Sequence, residues 1–232
     1  MGIFSSDIQK DIQSIFQSSD FNNLNIDEFN NKFQNNPGYI KLKELKEIHD
    51  EIIMSCRLSK NMLDYRGNKI NGWSTNEKRG NKPYESPIGW IGIGLKVVGL
   101  YGEDDWIQNN SKNEWCVAYH GIGGNENLIK KIISMIIRNG FKAGNNQQIK
   151  ECEDILHPGQ KVGIGVCFTP YIKEAEQYSA ITNFGGKKYK IVLMVRVKPD
   201  KIRQCREQEN FWVLNGTSDE VRPYRILLKK YN

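Results

Sequence analysis

Nowhere does this chain contain an apolar run near the roughly eighteen residues that a membrane-spanning helix needs. It does not open with a basic stretch leading into an apolar one, so no secretory leader is expected. Its five cysteines (Cys56, Cys116, Cys152, Cys167 and Cys205) are odd in number and show no paired short spacing. That pattern predicts reduced thiols in a cytoplasmic setting. Cys152 and His157 lie close together, but no second ligand pair has usable spacing, so no metal site is expected. The segment Ser18 to Asn25 joins two short helical runs, yet it lacks the spaced acids and central glycine of a calcium loop. The glycines of Gly89-Trp90-Ile91-Gly92-Ile93-Gly94 are followed by no helix start and no acidic partner, which excludes a dinucleotide fingerprint. These glycines predict instead an extended segment with close backbone packing. The net charge of +6 is spread along the chain. An anionic partner is permitted by it, not indicated.

What is present begins with helical spacing. Ile8, Ile12, Ile15 and Phe16 predict a helix over 7–18, and Ile26, Phe29 and Phe33 predict a second over 26–34. A third, over 40–57, places Leu42, Leu45, Ile48, Ile52 and Ile53 on one face, with His49 at its rim. Gly2 and Ser6 match an N-myristoylation pattern, while Ser5 or Ser6 also suits the cap of a helix starting at Asp7. One acyl chain at Gly2 would give only weak peripheral membrane anchoring. The expected organisation is a helical extension over 1–64, a glycine-punctuated linker over 65–86, and a domain over 87–232.

Within that domain, Glu114-Trp115-Cys116-Val117-Ala118-Tyr119-His120-Gly121 reads as a buried strand ending in an imidazole and a glycine-rich break. Such an edge lets a flat polar ligand meet backbone N–H and C=O groups directly. An amphipathic helix over 125–139 follows, stopped by Asn139-Gly140, and then a polar loop over 142–163. A strand over 164–168, a helix over 171–180 and a turn at Asn183-Phe184-Gly185-Gly186 come next. Three further strands are expected at Lys188 to Val197, Phe211 to Leu214 and Tyr224 to Leu228, the last two joined by a hairpin dipeptide at Asn215-Gly216. The pattern is α+β, with mainly antiparallel sheets and interspersed helices.

The order of strand with Tyr119-His120-Gly121, helix, strand with Gly165-Val166-Cys167-Phe168, and helix ending in Tyr178 resembles the catalytic domain of the poly(ADP-ribose) polymerase family. The resemblance spans about 114–230 and implies an ADP-ribosyltransferase-type split sheet. It implies NAD as the bound dinucleotide, held by His120, Gly121 and Phe168, with the Tyr178 ring stacked on nicotinamide. Three positions depart from the family. Cys167 stands where its tyrosine would be, Ala175 where a serine would bond the carboxamide, and Phe211 where the catalytic glutamate opens its strand. The nearest acids are Glu207 and Glu209, with Glu220 another stand-in. The catalytic positions implied are therefore His120, Cys167 and Glu209. Two readings stay open. One is a non-catalytic scaffold or interaction module in a cytoplasmic or cytoskeletal assembly. The other is a mono-ADP-ribosyltransferase acting on a protein or nucleic-acid acceptor.

Overall fold

The apolar run Ile191-Val192-Leu193-Met194-Val195 has no polar face to show water, so both sides of its strand must be covered. The computed structural model describes residues 37–64, 67–69, 73, 78–143 and 150–231. In it all five of these side chains are 1% exposed or less. The helices expected at 7–18 and 26–34, and the Gly2 signal, lie outside the described residues.

In chain order come helix α1 (Pro37–Ser55), strands β1 (Lys78–Arg79), β2 (Lys82–Pro83), β3 (Ile91–Gly94) and β4 (Cys116–Gly121), and helix α2 (Glu126–Asn139). Strand β5 (Val166–Phe168), helix α3 (Ile172–Gln177) and strands β6 (Ile181–Phe184) and β7 (Lys187–Val197) follow. Strands β8 (Arg203–Gln204), β9 (Trp212–Leu214) and β10 (Val221–Lys230) complete the set. Strand β10 lies between β3 and β7, while β4 and β6 succeed one another along the other edge of β7. Strands β5, β9 and β8 form a second sheet, and β1 with β2 a short ribbon. Every strand pairing among the described residues is antiparallel, which gives the α+β class expected from the sequence. No helix among the described residues is long and apolar enough to cross a membrane.

Local chemistry explains the boundaries. The Asn125 side chain accepts from the Leu128 N–H at the start of α2, and the Gly140 N–H closes its end on the Ile136 carbonyl. Ile129, Ile133 and Ile136 then face the core. Pro223 sits in the long strand β10 next to a register shift between Pro223 and Arg225, beyond the stretch that β3 covers.

Two turn expectations need correction. Asn183 and Phe184 belong to strand β6, and only Gly185-Gly186 turns. Both glycines hold positive φ, +57° and +75°, the geometry of a tight two-residue hairpin. Asn215-Gly216 makes no hairpin, because β9 pairs in one sheet and β10 in the other. The Glu220 carboxylate holds this crossing by accepting from the Asn215 backbone N–H (2.8 Å) and side-chain Nδ2 (3.0 Å). The dipeptide cannot say which strand its successor will find.

Helix α1 packs Leu45, Ile48 and Ile52 into the same continuous core as the sheets. His49 is not at a rim: helical spacing places it beside Leu45 and Ile52, and it is 1% exposed. Burial lowers its pKa to about 4. The unfolded chain takes up this proton near the ordinary 6.5, before the folded chain does. Stability from this group is therefore whole above that pH and is lost as pH falls toward about 4. Melting temperatures measured across this window should fall less steeply for His49→Gln than for wild type. Equal slopes would exclude His49 as the titrating group.

Candidate functional site

Two backbone hydrogen bonds tie the sheets together, from Tyr119 N to Thr169 O (2.8 Å) and from Thr169 N to Tyr119 O (3.1 Å). One residue later the strands part. The His120 imidazole fills the gap, its Nδ1 lying 2.9 Å from the Cys167 carbonyl oxygen. A carbonyl only accepts, so Nδ1 carries the proton. Burial lowers the His120 pKa, against the raising effect of that hydrogen bond. The ring is then neutral near pH 7 and leaves Nε2 as an acceptor.

Backbone alternation makes Gly121 the next feature. Tyr119 spends its N–H and C=O on Thr169, so in an antiparallel ladder His120 turns its own toward Leu193 on β7. Gly121 turns back to the side of Tyr119, where β5 has moved away. Its peptide groups therefore face the cleft edge. A side chain there is excluded: a Cβ on Gly121 would lie 2.1 Å from the Ala175 carbonyl oxygen and 3.1 Å from Tyr178 Cβ. Helix α3 packs directly over the strand end because the residue is glycine.

These elements enclose a cleft of about 620 Å³ lined by His120, Gly121, Cys167, Phe168, Ala175 and Tyr178. Ile132, Met135 and Ile136 of α2 form one wall, and Tyr178 and Phe211 the other. The Tyr178 ring is edge-on to Phe211 at 5.7 Å, and the residue is 59% exposed. It is therefore available to a ligand rather than committed to the core. Phe168, in contrast, is 1% exposed and forms a three-ring cluster with His120 and Phe141, with centroids 5.1 to 5.5 Å apart. It braces the histidine from below.

The structure thus brings together His120, Gly121, Cys167, Phe168 and Tyr178. Burial raises the pKa of the Cys167 thiol, which stays protonated and is no activated nucleophile; its contribution is the carbonyl that holds His120. Glu209 is not in the lining. A turn closed by the Phe211 N–H on the Gln208 carbonyl (3.0 Å) puts Gln208 and Phe211 at the cleft and leaves Glu209, exposed like Gln208, outside the lining. Glu220 is held by Asn215 and is likewise outside the lining. Among the described residues no carboxylate lines this cleft. Gln208 was missed in the sequence, although residues three apart in a turn share a side and Phe211 pointed to it.

The expectation of five reduced thiols is also corrected. Cys152 and Cys205, 53 residues apart, form a disulfide with a Cα–Cα distance of 5.5 Å. The partner strands are brought side by side by the bridge between Asp154 and Cys205, so sequence spacing carried no sign of the pairing. Glu207 lies beside them, with its carboxylate oxygen and the two sulfurs all within 4.8 Å of one another.

Gly121→Ala should destabilise the fold by about 1–3 kcal/mol, because backbone must move to admit the methyl group. Gly123→Ala, whose Cβ would meet only the Tyr178 carbonyl oxygen at 3.3 Å, should cost much less. Denaturant unfolding compares them, and equal losses would refute the close approach of α3. No protein-family model matches the chain, and no curated protein sequence matches it.

Proposed function

We propose that the chain is a poly(ADP-ribose) polymerase-like ADP-ribosyltransferase-fold protein, degenerate in catalysis, that serves as an interaction module. Its cleft retains a seat for the nicotinamide end of NAD. The observation that carries this is the strand split itself. The Gly121 peptide edge, the His120 Nε2 acceptor and the exposed Tyr178 ring converge on one cleft, while Phe211 and Gln208 occupy the side where a carboxylate would act. A planar amide fits between a backbone edge and an aromatic face, and a ribose hydroxyl suits the imidazole.

Loss of nicotinamide builds positive charge at the anomeric carbon, and an adjacent carboxylate is what stabilises it. A neutral Gln208 offers only dipoles. Binding is therefore preserved under this reading while transfer is suppressed. A cytoplasmic setting and a protein partner belong to the same proposal. The second reading, transfer of a single ADP-ribose, is favoured by His120, whose neutral, oriented ring is what a ribose would need.

Calorimetric titration with NAD tests the proposal, with labelled NAD run in parallel. Wild type should bind and transfer no label. Tyr178→Ala should weaken binding by about tenfold, the equivalent of about 1.4 kcal/mol of lost ring contact. Tyr178 is the cleaner probe, since His120→Ala would also open the Phe141 and Phe168 cluster. Label appearing as single units would establish the second reading, and polymer ladders would overturn both. No heat and no melting shift with NAD would remove the dinucleotide from the proposal.

A further inference from the structure

Beside the cleft, and independent of what it binds, Glu207 makes a contact that the disulfide does not explain. Its Oε2 lies 3.2 Å from Cys205 Sγ and also directly against Cys152 Sγ. A carboxylate oxygen only accepts hydrogen bonds, and a sulfur in a disulfide has no proton to donate. Among the described residues no basic side chain takes up this charge, and the neighbouring Arg206 is paired with Glu153 instead (3.1 Å). Glu207 is exposed and free to turn to water, yet it is aimed at the two sulfurs.

The contact makes chemical sense for the reduced pair. Two thiolates and one carboxylate, drawn from a loop and from a strand end, form a ligand set for a borderline-soft divalent cation. We infer that Cys152, Cys205 and Glu207 form a zinc-class metal site when the disulfide is reduced. The backbone fixes the geometry before any cation arrives: Val162 N–H bonds the Cys152 carbonyl (2.9 Å), and Arg206 N–H bonds the Glu153 carbonyl (3.1 Å). Three protein ligands leave the remaining tetrahedral position to water. Cys167 packs against the same small cluster of Val162, Cys205 and Val213 but is not one of the ligand group.

The steps balance. A dithiol reductant exchanges with the disulfide, breaks the S–S bond, leaves as its own cyclic disulfide, and passes its two protons to Cys152 and Cys205. The cation then displaces both protons as the thiolates form, so binding weakens as pH falls. The site sits at the root of the turn that carries Gln208 and Phe211 to the cleft, since Gln208 N–H bonds the Cys205 carbonyl (3.2 Å). Disulfide and cation are two alternative ways of pinning one cleft wall.

The test uses the full chain, reduced with a dithiol, freed of reductant under inert gas, and titrated with Co²⁺ and then Zn²⁺. Reduced wild type should bind one cobalt per chain, with thiolate-to-cobalt charge-transfer absorption that zinc abolishes. The disulfide form should show none. Glu207→Gln, an exposed change, should weaken zinc binding by about tenfold or more. Cys205→Ser should lose the charge-transfer band, with Cys152→Ser in its place if that variant does not fold. No cobalt band in reduced wild type, an undiminished band in the serine variant, or unchanged zinc affinity in Glu207→Gln would each overturn the inference.

Discussion

Between Tyr119 and Thr169 the five-stranded and three-stranded sheets share two backbone hydrogen bonds, and everything about the cleft depends on where that sharing stops. Past this point the β5 ladder would need partners that β4 no longer offers. His120 supplies one by putting its Nδ1–H on the Cys167 carbonyl. A side chain thereby replaces a backbone donor, and the strands are wedged apart without leaving that carbonyl buried and unsatisfied. The same ring is clamped by Phe141 and Phe168, so the wedge has a fixed orientation. One residue thus ends the shared ladder, opens the cleft and presents an acceptor to it.

The far end of β4 is anchored by a different chemistry. Arg196 on β7 is buried and donates to the Trp115 carbonyl (2.6 Å), the Ile107 carbonyl (3.2 Å) and the Glu114 carboxylate (3.2 Å). A buried charge is tolerable only with such partners. Arg222 of β10 lies over the rings of Tyr101, Trp106 and Trp115 at 4.3 to 4.8 Å, covering them with its planar cation. Burial nonetheless lowers its pKa. Strand β4 is therefore held by polar contacts at its entry and by the sheet along its length. Its glycine end is free to serve as an edge.

Much of this was legible in the chain. The spacing of α2, its Asn125 start and Gly140 stop, and the continuous apolar run of β7 were readable because each depends on neighbours within a few residues. Tyr178 and His120 could be nominated, and the fold does place them around one cleft. His49 was misplaced because helical spacing alone does not tell how wide the buried face of α1 is; the sheets beneath it settle that. The end of strand β6, Asn183-Phe184, reads as a turn in the sequence because the polar Asn183 and the adjacent glycines look like loop chemistry until β7 is there to pair with.

Local sequence determined the class of the protein, the elements that carry the cleft, and the identity of its histidine, glycine and aromatic ring. Periodicity, caps and breakers act over one or two turns of chain, so they survive being read one residue at a time. Tertiary structure alone decided that Gln208 lines the cleft while Glu209 does not, that β9 and β10 join different sheets, and that Cys152 meets Cys205 across 53 residues. Each of these depends on which distant strand arrives beside which. That choice is made by the burial of both faces of β7 and the parting of the sheets at His120, not by any residue's neighbours in sequence.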